Sequence, residues 1–337
     1  MNATVRVLAA DVGGTNTRLL LADSDGITYT PLREQHYASA DWLDLLPILQ
    51  DFFATDTALP QRACLAIAGP ITGDAHRQQA QVTNLPWLLD GHALGQALGI
   101  PRVKLINDFA AVAHGIAALR DSDIITLQTG EPRAYAPRAV LGAGTGLGQA
   151  LLVQCGSHYE VLPTEGGHVD FAPQSDEQWH LLRTLQRDYG HVSYERLLSG
   201  AGLVFIYRFL QQRRSGAIPE LIVQACAAGG DPAAAISQTA LAGTDPIAAQ
   251  ALHEFIRIYG AQAGNLALGC LPFGGLYVAG GIAPKILSKL LDGTFIAAFN
   301  AKGRMETITR RIPVHVVTHA NPGLLGAALY AGRDGGV

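Results

Sequence analysis

The run Val5-Arg6-Val7-Leu8-Ala9-Ala10-Asp11-Val12-Gly13-Gly14-Thr15-Asn16-Thr17-Arg18-Leu19-Leu20-Leu21-Ala22-Asp23 decides the reading of this chain. Val5 to Asp11 is a short, mostly apolar stretch of the kind that forms a buried strand. Thr17 to Asp23 is a second, and the few Gly-rich residues between them make the pair a hairpin. Asp11 then stands at the end of a strand, beside a turn with little side-chain bulk. Backbone N–H groups in such a turn can approach phosphate oxygens closely, and threonine hydroxyls add donors. A carboxylate there can hold Mg²⁺ through water. The same residues also suit a plain hairpin turn, in which Asp and Gly serve only the backbone.

The design recurs. Ala139-Val140-Leu141 leads into Gly142-Ala143-Gly144-Thr145-Gly146-Leu147-Gly148, and Gln149 to Gln154 returns as a strand. Thr145 stands where Thr15 stood, a hint of two related halves. Leu276 to Ala279 is a further buried strand, ending on Gly280-Gly281. Helical spacing marks Trp42 to Phe53, Ala93 to Leu98, Phe109 to Leu119, Gln178 to Tyr189, Leu203 to Arg213, Leu221 to Ala227 and Pro246 to Leu268. Shorter helices are expected at Pro284 to Leu291 and Pro322 to Tyr330. Strands at Ala63 to Ala68, Val103 to Ile106 and Val314 to Val317 complete an alternation typical of α/β folds.

Composition bounds the function. The 337 residues are 48% hydrophobic and only 15% charged, against about 25% charged in typical domains, so the chain is neither disordered nor a polyelectrolyte. A net charge of −4 points to no nucleic acid or anionic membrane as partner. No apolar run reaches the roughly 18 residues that a membrane helix needs, and the first residues lack a secretory pattern. Cys64, Cys155, Cys226 and Cys270 are scattered, as expected for reduced thiols in the cytoplasm. The P-loop, G-x-G-x-x-G, H-E-x-x-H and G-x-S-x-G signatures are missing from the sequence.

Other polar residues sit at strand ends and turns. Asp108 follows the strand ending at Asn107 and precedes a helix, so it either caps that helix or acts as a general base. Glu165-Gly166-Gly167-His168 places two hydrogen-bonding side chains around a Gly-Gly turn, with no neighbouring cluster to make a zinc site. It reads as a surface turn or a polar subsite. Glu195 follows Ser193, and its carboxylate suits a helix N-terminus. Arg208, Arg213 and Arg214 read as a solvated helix face. Trp42, Trp87 and Trp179 read as core or domain-wall residues.

Taken together, these motifs resemble a known family. Asp11-Val12-Gly13-Gly14-Thr15-Asn16 is similar to the first phosphate motif of the actin-like ATPase superfamily that includes the hexokinases. Gly142 to Gly148 resembles its second, and Val278-Ala279-Gly280-Gly281-Ile282 its adenosine motif. Ile106-Asn107-Asp108-Phe109, Glu165-Gly166-Gly167-His168-Val169-Asp170-Phe171-Ala172-Pro173 and Glu195-Arg196-Leu197-Leu198-Ser199-Gly200 look more narrowly like the bacterial ATP-dependent glucokinases. The likeness runs from about Val5 to Leu329. The cysteine-rich zinc motif of the repressor/ORF/kinase sugar kinases is absent from the sequence.

The resemblance implies a two-domain, ribonuclease H-like α/β fold with an active-site cleft between the domains. A small domain would span residues 1–110, completed by 318–337, and a large one 111–317. It implies transfer of the γ-phosphoryl group of ATP to the 6-hydroxyl of D-glucose, the first step of glycolysis, with Mg²⁺ on Asp11. Ala10, Asp11, Val12, Gly13, Gly14, Thr15 and Asn16 would hold ATP together with Gly144, Thr145, Gly146, Gly280 and Gly281. Asn107, Asp108, Glu165, His168 and Glu195 would meet the sugar hydroxyls, joined by Asn84. Asp108 would be the base, and the enzyme a cytoplasmic homodimer. A hexokinase of broader specificity and a non-catalytic sugar-sensing regulator are the alternatives. An actin- or chaperone-like ATPase would have no use for the sugar residues.

Overall fold

Val5–Val12 (β1) is apolar on both faces, and it lies in the middle of a five-stranded sheet. It pairs antiparallel with Asn16–Ser24 (β2), which pairs antiparallel with Tyr29–Ala38 (β3). On its other side it runs parallel to Arg62–Ile67 (β4), and a small sheet follows from Ile71–Gly73 (β5), Gln78–Gln81 (β6) and Leu88–Asp90 (β7). Arg102–Asn107 (β8) runs parallel to β4 and closes the order β3-β2-β1-β4-β8. Alternation divides the strand's side chains between two cores. Leu8, Ala10 and Val12 meet Leu45–Phe53 (α1) and Trp87 on one face. Val7 and Ala9 meet Ala111 and the closing helix Pro322–Gly332 on the other.

The computed structural model describes residues 3–55, 58–74, 77–156, 158–213, 217–227 and 229–333. They form two compact units. The first comprises Met1–Arg120, Cys155–Leu162 and His319–Val337, and the second Asp121–Gln154 and Pro163–Thr318. In the first, Gly91–Leu98 (α2) is capped by Asp90, whose side chain accepts from the Ala93 amide. Asp108–Ile116 (α3) packs on the closing helix through glycines: a Cβ on Gly115 would stand 2.2 Å from the Pro322 carbonyl oxygen. That close approach fixes the helix that carries Asp108.

A second sheet repeats the plan. Ile124–Gln128 (β9), Arg138–Ala143 (β10), Leu147–Cys155 (β11), His158–Thr164 (β12), Leu276–Ala279 (β13) and Val314–Val317 (β14) make a sheet of order β12-β11-β10-β13-β14-β9. Apart from the added β9, this is the order of the first sheet: an antiparallel hairpin, then two parallel strands. The Gly-Thr turns at Gly13–Thr15 and Gly144–Gly146 therefore occupy equivalent hairpins. Helices Asp176–Tyr189 (α4), Gly200–Arg213 (α5), Glu220–Ala227 (α6), Pro232–Ala242 (α7), Pro246–Cys270 (α8), Leu287–Leu290 (α9), Thr294–Asn300 (α10) and Glu306–Thr309 (α11) belong to the second unit. Glycines let α8 lie against α10, since Cβ atoms at Gly260 and Gly264 would stand 2.2 and 2.4 Å from the Phe295 and Phe299 carbonyl oxygens.

Several expectations need correction. The helix expected from Trp42 starts at Leu45, because Asp44 caps it with a side chain that accepts from the Leu45 amide. The helix expected over Pro284 to Leu291 is a 3-10 turn, Ala283–Ile286, followed by the single turn of α9. Trp87 is buried and Trp42 packs on the first core, but Trp179 on α4 is 52% exposed. Arg208 is exposed on α5, and Arg213 lies over the Phe209 ring; Arg214 lies outside the described residues. The four cysteines are free thiols, with Cys64 buried. Among the described residues no helix is long and apolar enough to cross a membrane.

Candidate active site

The first Gly turn is closed by its own backbone. The Gly13 amide donates to the Asn16 carbonyl at 2.9 Å, leaving Thr15 and Asn16 exposed at the apex. Gly14 cannot carry a side chain, because a Cβ would lie 2.8 Å from the Thr83 carbonyl oxygen and 3.2 Å from the Asn84 Cβ. Asn84 is thereby brought beside this turn, in a left-handed conformation with φ 65°. Asp11 follows Ala10 at the end of β1, directly across from Arg18 on β2. Burial raises its pKa above the ordinary carboxylate value, and the Arg18 charge offsets part of that rise. Arg18 also donates to the Asn321 side chain, which ties the hairpin to the start of the closing helix.

At the end of β8, Asn107 is the helix cap. Its Oδ1 accepts from the Phe109 amide at 2.9 Å and from the Ala110 amide at 3.2 Å. The capping role that the sequence offered to Asp108 therefore falls one residue earlier, as the first orphan amides of α3 are met by Asn107. Asp108 is the first helical residue, and its Oδ1 accepts from the Phe109 amide at 2.8 Å. Burial lifts its pKa to about 6, the Phe109 hydrogen bond opposes that shift, and the nearby Asp11 charge adds to it. Two carboxylates with raised proton affinity thus stand within electrostatic reach of one another, at the ends of β1 and β8 on either side of β4.

In the second unit the Gly144 amide donates to the Gly146 carbonyl at 2.8 Å, and Thr145 is exposed. A Cβ on Gly144 would meet no protein atom within 4 Å, and the same holds at Gly281. Gly280 differs: its φ is 83°, and a Cβ would stand 2.5 Å from the Ala143 carbonyl oxygen. Gly280 is needed for the close approach of the two turns, whereas Gly144 and Gly281 keep open space in front of them.

Glu165, His168 and Glu195 come together. His168 Nε2 lies 3.9 Å from Glu165 Oε2 and 3.8 Å from Glu195 Oε1. Gly167 is required because the turn presses onto the β11 backbone, where a Cβ would lie 2.1 Å from the Leu147 carbonyl oxygen; a Cβ on Gly166 would meet only side chains, the nearest being the Gln149 amide. Ser193 makes no capping bond to the 3-10 turn Tyr194–Arg196, so helix capping does not explain Glu195. Its carboxylate instead accepts from the Leu147 amide at 2.9 Å, at the rim of the second Gly turn.

Two supporting residues escaped the sequence. Ser39 is fully buried after β3, and its hydroxyl donates to the Gly13 carbonyl at 2.9 Å and pairs with the Thr17 hydroxyl at 3.0 Å. Its amide donates to the Thr15 carbonyl. Tyr259 on α8 reaches the Ala143 amide. A serine after a polar edge strand and a tyrosine inside an apolar helix carry no local signal. Only the tertiary fold brings either one to a turn.

Comparison with known proteins gives these features a family. Residues 8–334 match the model of the Glucokinase family. A glucokinase of Nostoc punctiforme is 46% identical over 341 residues, covering 97% of this chain and 99% of the relative. A glucokinase of Tolumonas auensis is 40% identical over 325 residues, covering 96% of each chain. Among solved structures, glucokinase from an Antarctic psychrotroph superposes with a TM-score of 0.82 at 33% identity, covering 97% of this chain and 98% of that one. A glucokinase of Streptomyces griseus in complex with glucose and AMPPNP shares the fold, with a TM-score of 0.64 at 20% identity and coverage of 97% and 99%. With its repeated hairpin-and-parallel-strand units, this chain has the two-domain actin-like ATPase fold and belongs to the glucokinase family of sugar kinases.

Proposed function

We propose that this chain transfers the γ-phosphoryl group of ATP to the 6-hydroxyl of D-glucose, giving glucose 6-phosphate and ADP. The observation that carries the reading is the carboxylate of Asp108: helix capping is done by Asn107, and burial holds the Asp108 pKa near 6. A general base works best with a pKa near the operating pH. As the 6-oxygen bonds to the γ-phosphorus and the bond to the ADP oxygen breaks, Asp108 takes the hydroxyl proton. Positioning and charge neutralisation do the rest. Glu165, His168 and Glu195, with Asn84 and Asn107, would match the other sugar hydroxyls. A buried polar group left unpaired costs about 1–3 kcal/mol, which selects a sugar with hydroxyls in the right places.

The Gly13–Asn16, Gly144–Gly146 and Gly280–Gly281 turns would hold ATP, and the open space before Gly144 and Gly281 supports that role. Asp11 suits Mg²⁺, which takes one or two carboxylates together with phosphate oxygens and water. Burial that disfavours the Asp11 charge also makes a cation there welcome. Mg²⁺ supplies neutralisation of the phosphate charge when bound. We assign the first unit to the small domain and the second to the large, in a cytoplasmic homodimer.

A coupled assay with ATP and Mg²⁺ against glucose, mannose, fructose and N-acetylglucosamine tests the reading. Glucose should be preferred by at least about tenfold, the scale of one well-matched polar contact. Equal use of several hexoses would favour a broad hexokinase, and no phosphorylation of glucose would sink the proposal. Sedimentation of the purified chain tests the dimer.

A further inference from the structure

We infer that Tyr259 is a positioning residue for the nucleotide-binding turns of the second unit; this rests on the proposed ATP site. The helix α8 is locked in place by its glycine contacts with α10. From it the fully buried Tyr259 ring stands edge-on between Phe255, at 5.9 Å, and Phe295, at 5.6 Å. Its hydroxyl oxygen accepts from the Ala143 amide at 3.0 Å and donates to the Ala279 carbonyl at 3.4 Å.

Those two partners are not ordinary ladder residues. Ala143 is the last residue of β10, one before Gly144, and Ala279 is the last of β13, one before Gly280. The parallel pairing of these strands ends at Gly142 opposite Ala279. Beyond that point the strands have no ladder bonds with each other, and the chain must diverge into two turns. The Ala143 carbonyl is held by the Ile282 amide, and the Gly280 backbone presses on it. One hydroxyl therefore completes the anchoring of both strand ends where the two turns begin. A rigid aromatic cage around it leaves that oxygen one position.

The consequence is that the two turns keep a fixed spacing and do not shift independently when nucleotide binds. Tyr259→Phe removes only the hydroxyl and retains the ring packing. It should raise KM for ATP about 3–10-fold, the loss of one net hydrogen bond, while KM for glucose changes by less than about twofold. Leu185→Val on α4 weakens the same core away from the rings that hold Tyr259, and at a comparable fall in Tm it should leave KM for ATP unchanged. Amide exchange on the wild-type chain gives an independent readout. Adding Mg·ADP should slow exchange at residues 142–146 and 278–282 together.

Unchanged KM for ATP in Tyr259→Phe, an equal rise in Leu185→Val, or protection of one turn alone would each overturn the inference. A wild-type chain that binds no ATP at all would instead overturn the proposed function, and this inference with it.

Discussion

The Glu195 carboxylate accepts from the Leu147 amide at 2.9 Å with one oxygen and faces His168 Nε2 at 3.8 Å with the other. One side chain thus joins the Glu165–His168 cluster to the second Gly-Thr turn. A Cβ at Gly146 would lie 2.5 Å from the same carboxylate, so the turn is shaped around it.

Glu195→Ala should therefore affect both substrates. Losing a sugar partner raises KM for glucose by roughly 5–100-fold, the value of an interaction worth 1–3 kcal/mol. The orphaned Leu147 amide loosens the turn, and KM for ATP should rise severalfold as well. Steady-state kinetics with each substrate varied in turn decides it. An unchanged KM for ATP would show that the Leu147 bond is merely structural.

The raised pKa of Asp108 has a sign that can be read in the rate. A base must be ionised, so kcat/KM should climb as pH rises through about 6 and level off above it. Asp108→Asn should lower kcat by roughly 10²–10⁴ and abolish the residual acid limb. A limb that survives in the variant would assign that ionisation elsewhere.

The same shift makes Asp108 costly to the fold. Its folded pKa of about 6 exceeds the unfolded value near 3.8, so at pH 8 the charged carboxylate destabilises the native state. Asp108→Asn should then stabilise the chain by about 1–3 kcal/mol at pH 8. The gain should fade as pH drops from 6 through 4, and it vanishes only below about 3.8, where native and unfolded states both bind the proton. Denaturant melts at pH 8 and pH 4 test this. A variant equally stable or weaker at both pH values would remove the argument.

Glycines of the second unit divide by what their Cβ would meet. Gly144→Val points a side chain into open space, so Tm should hold while ATP binding falls far more than glucose binding. Gly280→Val must accept φ 83° and a clash with the Ala143 carbonyl, so it should unfold the chain at lower temperature whatever its ligands. Thermal melts beside titrations of each ligand separate the cases. Equal destabilisation by both variants would mean the turns are packed alike.

Much of this was legible in the sequence because it is local. Strand, Gly-Thr turn and strand at Val5–Asp23, and again at Ala139–Gln154, carry their own periodicity and turn chemistry. What escaped is what packing alone decides. Tyr29–Ala38 is a polar edge strand whose mostly exposed residues show no apolar alternation. The sheet of β5, β6 and β7 is built from pieces too short for any pattern. The choice between Asn107 and Asp108 as cap could not be made from two adjacent capping residues, since it depends on where β8 hands over to α3. The Gly166-Gly167 pair read as a surface turn or a polar subsite, yet Gly167 is demanded by the close approach of the β11 backbone at Leu147.

Ser39 offers the sharpest test of the first turn. Its hydroxyl is buried between the Gly13 carbonyl and the Thr17 hydroxyl, so Ser39→Ala leaves two buried polar groups short of a partner. The cost should be about 1–3 kcal/mol of stability. Replacing both partners with apolar groups costs less than stranding one, so adding Thr17→Val should restore part of that loss. The Gly13 carbonyl stays unanchored in the double variant, and a turn held less firmly pre-organises phosphate contacts less well. KM for ATP should therefore stay several-fold raised in both variants, with KM for glucose near that of the parent chain. If the double variant regained ATP affinity along with stability, Ser39 would be a packing residue only, and the Gly13–Asn16 turn would hold its shape unaided.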